Sequence, residues 1–262
     1  MKISVIIPVY NEFRSLPEVL RRVLDAPLPV GCCKEVIVVD DGSNDGTASL
    51  VKEYAVRGDL IVHRMLLNGG KGAAIRAGLT LASGEVILIQ DGDLEYDPDD
   101  YFRLVTPVVN GEADVVYGSR FCESAPPMQV LNLIANKILT SLANSLYAAN
   151  ITDEATAYKV FRANVIGRLL LECKRFEFCP EVTAKLCRLG YRIYEVPISY
   201  RARRIAEGKK IRARDGVWAV WTLLKYRFLP RERLIRPMVA MRENRMPTFV
   251  GSLAGARGFR KD

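Results

Sequence analysis

Two aspartates separated by one glycine follow a short apolar run in the middle of the chain. Residues 86–89 are all apolar, and Asp91, Gly92 and Asp93 follow almost at once. Such a run is typical of a buried strand in a parallel sheet, where ligands bind beyond the carboxyl ends of the strands. The two carboxylates, with Glu95 as a third, favour a Mg²⁺ or Mn²⁺ ion that carries phosphate groups, and the glycine would let a ligand approach the backbone closely. The alternative is an ordinary strand exit with solvated acids.

Acidic residues also follow two other strand-like segments. Lys2–Val9 is a nearly continuous apolar run that leads to Glu12, and residues 35–39 lead to Asp40 and Asp41. Because the carboxyl ends of parallel strands meet at one edge of a sheet, we expect all three acidic strand ends to lie together. This clustering favours a binding site over three unrelated polar turns.

A glycine-rich turn precedes the third predicted helix. Residues 68–72 read NGGKG, and the helix is predicted to begin at Ala73. Backbone N–H groups at the start of a helix can bind phosphate, so the turn is a candidate phosphate cradle. The sequence lacks the GxxxxGK[ST] pattern of a P-loop.

Strands and helices alternate four times before about residue 120, which predicts an α/β fold with a doubly wound, mostly parallel sheet flanked by helices. Beyond this point we expect a strand at 114–118, a helix at 131–149 and a strand at 157–162. The last predicted strand, at 192–200, contains Pro197. Proline cannot donate a hydrogen bond to a neighbouring strand, so we place this strand at an edge of the sheet.

The positive charge of the chain is concentrated towards its C-terminal end. The 262 residues carry a net charge of +8, and residues 201–242 hold 13 Lys and Arg against three Asp and Glu. This asymmetry indicates an anionic partner such as phosphate, a membrane surface or nucleic acid, with a solvated basic tail as the alternative. The overall composition, 49% hydrophobic and 26% charged, is usual for a globular protein.

The sequence shows neither a membrane-spanning run nor a secretory leader. No apolar stretch approaches the roughly 20 residues of a spanning helix, and the first residues lack the basic start and cleavage site of a signal peptide. The six cysteines show no paired zinc-type spacing, so we expect reduced thiols. We therefore expect a cytoplasmic protein, or one at the cytosolic face of a membrane.

The C-terminal part is predicted to form a separate unit. We place one domain in residues 1–216 and, in 217–262, an amphipathic helix followed by a basic, weakly ordered tail. The helix, at 217–228, carries Trp218 and Trp221 near basic residues, which suits a membrane interface. Docking of this helix on the protein's own core is the alternative.

Five motifs occur in order along the chain: IIPVYNE at 6–12, VVDDGSNDGT at 38–47, NGGKG at 68–72, QDGD at 90–93 and YGSR at 117–120. Together they resemble the motifs of the family 2 glycosyltransferases with the GT-A fold, in particular the branch that makes polyprenyl-phosphate (dolichyl-phosphate) sugars. The resemblance implies a metal-dependent, inverting transfer of a sugar from a nucleoside diphosphate to a polyprenyl phosphate. It extends over about residues 1–228.

The resemblance also implies roles for residues at the acidic strand ends. Asp91, Asp93 and Glu95 would hold the Mg²⁺ or Mn²⁺ ion, which would arrive with the donor rather than form a permanent structural site. Residues from the strand ends, the glycine-rich turn and the basic segment would surround the nucleotide sugar. These are Pro8, Tyr10, Glu12, Asp40, Asp41, Lys71, Asp91, Gly92 and Lys209.

Basic and polar residues later in the chain would complete the reaction site. Arg120 would meet the acceptor phosphate, with Asn136 and Ser141 on the next helix as further contacts. Arg203 and Lys210 belong to the basic segment, which would close over the diphosphate. Catalysis would then depend on Asp91, Asp93, Arg120, Arg203 and Lys210.

The sequence does not decide between several sugar donors and acceptors. GDP-mannose is the first choice of donor, and UDP-glucose or UDP-GlcNAc is the second. A family 2 transferase with a soluble acceptor is the alternative enzyme. A nucleic-acid-binding module is the non-enzymatic alternative, but the basic segment lacks RNA-recognition aromatics and the acidic cluster would be unexplained. The expected partners are a nucleotide sugar, a polyprenyl phosphate and an anionic membrane surface, without nucleic acid.

Overall fold

The described part of the chain forms one sheet with helices on both faces. The computed structural model describes residues 1–123, 126, 128–203 and 213–237. Its strands are β1 (Lys2–Val9), β2 (Cys33–Asp40), β3 (Ile61–Arg64), β4 (Val86–Ile89), β5 (Val115–Ser119), β6 (Lys159–Arg162) and β7 (Tyr194–Pro197). Its α-helices are α1 (Leu16–Asp25), α2 (Thr47–Arg57), α3 (Lys71–Leu81), α4 (Tyr101–Val109), α5 (Val130–Tyr147), α6 (Ala163–Arg168), α7 (Phe178–Arg188) and α8 (Ala213–Phe228).

The strand order is β3-β2-β1-β4-β6-β5-β7. β1 pairs in parallel with β2 and β4, and the pairs β2–β3 and β5–β7 are also parallel. β6 is antiparallel to both of its neighbours. The predicted mostly parallel α/β sheet is confirmed, and β7 lies at an edge, as Pro197 indicates.

Burial on both faces explains the apolar runs of β1 and β4. All four residues of β4 are buried, as are residues 3–7 of β1. α1 and α4 cover one face of the sheet, and α3, α6 and α7 cover the other. The polar residues that follow these two strands therefore emerge from the core at the same edge.

The reversed direction of β6 brings a further segment to this edge. β5 ends there, and the connection through α5 returns to the same edge before β6 begins. The residue pattern predicts a strand but not its direction, because direction depends on where the connection ends.

Lys159, at the start of β6, is fully buried, and its Nζ donates to the carbonyl oxygen of Glu154 at 2.9 Å. Burial lowers the pKa of Lys159.

The helix α8 docks on α5 and α7. Ala219, Leu223 and Tyr226 are buried in a cluster with residues of those helices, and the Tyr226 hydroxyl donates to Glu181 Oε1 at 2.9 Å. One side of α8 is therefore docked on the core. The domain boundary expected between residues 216 and 217 falls within this helix. Among the residues described above, no helix is long and apolar enough to cross a membrane.

Glu35 ties the starts of β1 and β2 to the turn before β4. Its carboxylate accepts hydrogen bonds from Ser4 Oγ at 2.5 Å and Ser83 N at 2.6 Å, and it pairs with Lys2 Nζ at 2.5 Å. Burial disfavours the charged form, but these donors outweigh burial and lower the pKa of Glu35 from its ordinary 4.5 to about 2. The ionised carboxylate therefore stabilises the folded state.

Replacing Glu35 with glutamine is expected to destabilise the protein by about 2 kcal/mol at pH 7, after allowance for solvent screening. Because the folded pKa lies below the unfolded one, the stabilisation is present above pH 4.5 and is lost as the pH falls towards 2. Urea unfolding at pH 7 and at pH 3 measures this change. The exposed Glu53→Gln serves as the control. An effect of Glu35→Gln that is equal at both pH values would contradict this role.

Candidate active site

Arg203 joins two of the acidic strand ends. Its Nη1 and Nη2 donate to the Glu12 carboxylate oxygens at 3.2 and 2.9 Å, and Nη2 lies 3.3 Å from Asp93 Oδ2. Ser15 Oγ donates to Glu12 Oε2 at 2.5 Å, which fixes the carboxylate against the start of α1. The ends of β1 and β4 therefore meet, as their parallel pairing requires.

Lys71 faces the other aspartate. Its Nζ lies 2.5 Å from Asp91 Oδ1, and both side chains are 18% exposed. Burial disfavours the lysine charge, but the Asp91 carboxylate outweighs burial and raises the pKa of Lys71. Lys71 is the first residue of α3. The glycine-rich turn before α3 therefore determines where this ammonium group lies.

Asp41 holds the glycine-rich turn in place. Its Oδ1 and Oδ2 accept hydrogen bonds from the backbone N–H groups of Gly69 and Gly70 at 2.6 and 2.8 Å. Burial raises the pKa of Asp41, although both hydrogen bonds act in the opposite sense. In this arrangement Asp41 positions the turn that carries Lys71.

Several backbone N–H groups of the turn already have acceptors within the protein. Gly72 and Ala73 donate their N–H groups to the carbonyl oxygens of Arg175 and Lys174 at 3.1 and 2.9 Å. Together with the two groups described above, four N–H groups of the expected cradle have protein acceptors, so the prediction of a backbone phosphate cradle is wrong for them. The glycines serve close packing, because a Cβ at Gly70 would lie 2.6 Å from the Lys174 carbonyl oxygen.

Asp40 presents a buried carboxylate oxygen at the end of β2. The residue is 0% exposed, and its Oδ1 accepts a hydrogen bond from Ser43 N at 3.0 Å. Its Oδ2 has no hydrogen-bond partner in the part of the chain that the structure describes, and Arg64 Nε lies 3.6 Å away. A buried oxygen without a donor is costly, so a ligand N–H or hydroxyl group would complete its bonding.

Gln90 and Gly92 direct the chain between β4 and the aspartates. Gln90 Nε2 donates to the Asp91 carbonyl oxygen at 2.9 Å, while Oε1 accepts from two buried tyrosine hydroxyls at 2.8 and 2.7 Å. At Gly92 a Cβ would lie 2.7 Å from Val9 Cγ1. The structure thus gives this glycine a packing role against β1, which differs from the predicted approach of a ligand.

Glu95 anchors the segment that carries Arg203. Its carboxylate oxygens accept hydrogen bonds from Arg203 N at 2.8 Å and from the Tyr200 hydroxyl at 3.1 Å. Its backbone carbonyl oxygen accepts one from Arg201 N at 2.8 Å. Both carboxylate oxygens of Glu95 are therefore engaged, and its role as a third metal ligand stays a prediction.

Arg120 lies in a buried ion pair at the end of β5. Its Nε and Nη2 each donate to Asp153 at 2.7 Å, and the two residues are 8% and 0% exposed. The guanidinium also lies 5.0 Å from the centroid of the Tyr200 ring. Asp153 therefore fixes the orientation of the Arg120 guanidinium at the end of β5.

The helix α5 contributes a basic residue that the sequence analysis did not assign. Lys137 Nζ lies 4.4 Å from the centroid of the Phe121 ring, and the Arg120 guanidinium lies 5.5 Å from the same centroid. Of the two residues expected on this helix, Asn136 is half-buried and Ser141 is exposed. Lys137 and Arg120 therefore both contact the Phe121 ring. In the sequence, the position of Lys137 next to Asn136 on the predicted helix is the signal that indicates it.

The remaining predicted residues divide between the end of β1 and an undescribed segment. Pro8 pairs with Val39 of β2, and Tyr10 is half-buried directly after β1. Both lie at the edge where Asp40 and Glu12 are found. Lys209 and Lys210, and the predicted tail beyond residue 237, lie outside the described residues.

Two carboxylates give the site its capacity for a metal ion. Within the described ranges, no group of three or more Asp, Glu, His or Cys side chains is arranged to hold an ion. Asp91 and Asp93 nevertheless supply hard oxygen ligands, which fit Mg²⁺ or Mn²⁺ when phosphate oxygens complete the coordination shell. The residues therefore fit an ion that binds jointly with a diphosphate.

The mostly parallel sheet with acidic side chains at its carboxyl edge has the GT-A glycosyltransferase fold, as comparison with known proteins shows. The chain belongs to glycosyl transferase family 2, whose family model matches residues 4–170. A structure of glucosyl-3-phosphoglycerate synthase from Mycobacterium tuberculosis in complex with UDP has the same fold. Its TM-score is 0.67 at 21% identity, with 87% of this chain and 81% of that chain covered.

Two curated relatives are more similar in sequence. An undecaprenyl-phosphate mannosyltransferase of Micrococcus luteus is 35% identical over 222 residues, which cover 80% of this chain and 87% of that protein. An undecaprenyl-phosphate 4-deoxy-4-formamido-L-arabinose transferase of Salmonella typhimurium is 32% identical over 210 residues, which cover 79% of this chain. The match spans 62% of the Salmonella protein, less than two thirds of its length.

Proposed function

We propose that the protein transfers a hexose from a nucleoside diphosphate sugar to a polyprenyl phosphate. One observation carries the proposal: Glu12, Asp91 and Asp93 lie against Lys71 and Arg203 at a single edge of the sheet. Departure of a nucleoside diphosphate requires carboxylates for a metal ion and cations for the phosphates. The names of the two curated relatives support polyprenyl phosphate as the acceptor.

Asp40 and Glu12 would bind the nucleoside of the donor. The buried Oδ2 of Asp40 can accept a hydrogen bond from a base N–H or a ribose hydroxyl, which would satisfy an oxygen that otherwise lacks a donor. Guanine and uracil both carry an N–H group. This contact therefore does not choose between them. GDP-mannose is our first choice of donor because the Micrococcus luteus relative is named as a mannosyltransferase, and UDP-glucose and UDP-GlcNAc are the alternatives.

Asp91 and Asp93 would hold a Mg²⁺ or Mn²⁺ ion. When bound, the ion would neutralise negative charge on the departing diphosphate. Lys71 and Arg203 lie within reach of the same two carboxylates. They would therefore contact the phosphate oxygens from the protein side and orient the sugar towards the acceptor.

Arg120 and Lys137 would position the acceptor phosphate, with Asn136 and Ser141 as further candidates on α5. A phosphate monoester is largely ionised at neutral pH, so the attack on the sugar needs no strong general base. The one histidine of the chain, His63, is exposed on the edge strand β3. The scarcity of histidine is consistent with catalysis by charge stabilisation.

Two outward apolar stripes would place this site at a membrane, which we assign to its cytosolic face. α5 and α8 pack together through a shared buried cluster, and each helix carries exposed apolar side chains on its outer side. Large apolar side chains in contact with solvent are typical of a membrane or partner surface. The exposed side chains are Val130, Leu131, Ile134 and Ile138 on α5 and Val217, Trp218, Trp221 and Phe228 on α8.

Replacing both Trp218 and Trp221 with alanine is expected to weaken binding to phosphatidylglycerol-containing vesicles by about tenfold or more, because two large aromatic side chains are removed from the interface. Co-sedimentation measures the binding. Phe102→Ala is the matched control, because Phe102 is 51% exposed on α4, whereas the tryptophans are 54% and 56% exposed. Equal losses in both variants would contradict the membrane face, and a wild type that ignores vesicles would favour a soluble acceptor.

Calorimetry with Mn²⁺ and a panel of donors tests the donor assignment. We expect GDP-mannose to bind more tightly than UDP-glucose or UDP-GlcNAc. Tighter binding of a UDP-sugar would replace our first choice with its alternative. A protein that binds no member of the panel in the presence of Mn²⁺ would refute a nucleotide-sugar site at Asp40 and Glu12.

A further inference from the structure

Each aspartate of the candidate metal site is paired with a cation of the protein itself. Lys71 Nζ lies 2.5 Å from Asp91 Oδ1, and Arg203 Nη2 lies 3.3 Å from Asp93 Oδ2. Arg203 also binds both carboxylate oxygens of Glu12. These five side chains are only 10–19% exposed, so water screens the pairs much less than it screens pairs on the open surface.

We propose that Lys71 and Arg203 make binding of the divalent ion depend on the nucleoside diphosphate, because they occupy Asp91 and Asp93 until a diphosphate draws them away. The inference rests on the proposed function and assigns these two residues a second task. Before the donor arrives they act as competitors of the metal ion. After it arrives they act as ligands of the phosphates.

The charges at the junction favour joint binding. Glu12, Asp91 and Asp93 carry three negative charges against the two positive charges of Lys71 and Arg203. A free divalent ion would have to share Asp91 and Asp93 with the two cationic groups that already pair with them. A diphosphate brings new negative charge, so that Lys71 and Arg203 can move to the phosphates while the ion takes their former partners.

The structure allows this exchange by side-chain movement alone. The backbone of Arg203 is fixed because its N–H donates to Glu95 Oε1 at 2.8 Å, and Arg201 N donates to the Glu95 carbonyl oxygen at 2.8 Å. Lys71 is fixed at the first turn of α3 by the packed glycine-rich turn. Both residues have long, unbranched side chains that can turn from a carboxylate to a phosphate. The exchange therefore requires no rearrangement of the sheet.

Titration of the full chain with MnCl₂, alone and with GDP or UDP, tests the inference. In the wild type, saturating nucleotide is expected to raise the Mn²⁺ affinity by a factor between about 5 and 150, the usual range of coupling between sites. Arg203→Gln and Lys71→Gln should each bind Mn²⁺ more tightly than the wild type when nucleotide is absent, and should show weaker coupling. Arg201→Gln, which removes the same charge from an exposed residue two positions away, should behave as the wild type does.

The outcomes separate this inference from the proposed function. Donor-free Mn²⁺ affinity that is unchanged or reduced in both variants, with circular dichroism as for the wild type, would overturn the inference alone. If Mn²⁺ and nucleotide bind the wild type independently of each other, this inference is also overturned, but the proposed nucleotide site is not. A wild type that binds neither GDP nor UDP with Mn²⁺ would instead refute the proposed function, and the inference with it.

Discussion

Replacing Asp93 with asparagine is expected to lower the rate of sugar transfer by two to three orders of magnitude while the protein stays folded. The substitution removes a charged metal ligand, and loss of one electrostatic contact to a transition state commonly costs about 3–4 kcal/mol. Asp93 is 19% exposed, and Arg203 keeps its two bonds to Glu12 in the variant, so the fold should tolerate the change. Steady-state transfer assays at saturating Mn²⁺ measure the effect.

Asp99→Asn provides the matched control for Asp93→Asn. Asp99 is exposed in a short 3₁₀ turn, six residues beyond Asp93, so the variant makes the same chemical change outside the carboxylate cluster. It should retain nearly full activity. Near-wild-type turnover of Asp93→Asn would contradict the metal-binding role, whereas equal losses in the two variants would show a nonspecific effect of charge.

Replacing Asp153 with alanine is expected to destabilise the protein by about 3–5 kcal/mol, because the change leaves the Arg120 guanidinium buried without its counter-ion. The corresponding fall in the melting temperature is roughly 6–20 °C for a chain of this size. The cost should be large because both groups are almost fully removed from water, at 8% and 0% exposure. Calorimetric or circular-dichroism melting measures it.

A second ion pair of the same chemistry serves as the comparison for Asp153→Ala. Arg162 and Asp114 pair at 2.9 Å, but their side chains are 30% and 53% exposed. Asp114→Ala should therefore cost less than about 1 kcal/mol. Similar melting temperatures for the two variants would contradict the buried role of Asp153. Adding Arg120→Leu to Asp153→Ala should recover much of the lost stability, because it removes the stranded charge.

The sheet edge was predictable from the sequence because it depends on local patterns. The apolar runs of β1 and β4 predict buried parallel strands, and parallel strands must deliver Glu12 and Asp93 to the same edge. In the structure both apolar runs are buried, and Glu12 and Asp93 both contact Arg203, as this reasoning requires. The proline in β7 likewise indicates an edge strand, where it is found.

Contacts between distant parts of the chain could not be predicted in this way. Arg203 reaches Glu12 across 191 positions of sequence, and Arg120 meets Asp153 through the reversal at β6. The glycine-rich turn illustrates the same difficulty. A sequence pattern shows that N–H groups are available in principle, but it does not show that Asp41 and the backbone of residues 174–175 have already bound them.

The C-terminal helix shows why one sequence pattern can leave two interpretations open. Its sequence allows docking on the core or binding at an interface. In the structure, Ala219, Leu223 and Tyr226 are buried against α5 and α7, while Trp218 and Trp221 remain more than half exposed. An amphipathic pattern defines an apolar side but cannot say which of several apolar stripes the protein's own core will cover.

Transfer of labelled sugar to undecaprenyl phosphate is the most direct test of the proposed activity. The protein is incubated with Mn²⁺, the acceptor and each labelled donor in turn, and the lipid extract is examined by mass spectrometry. We predict one hexosyl phosphate lipid, formed most rapidly from GDP-mannose and lost on addition of EDTA. Donor that binds but yields only free sugar, or no lipid product from any donor of the panel, would contradict the proposed transferase.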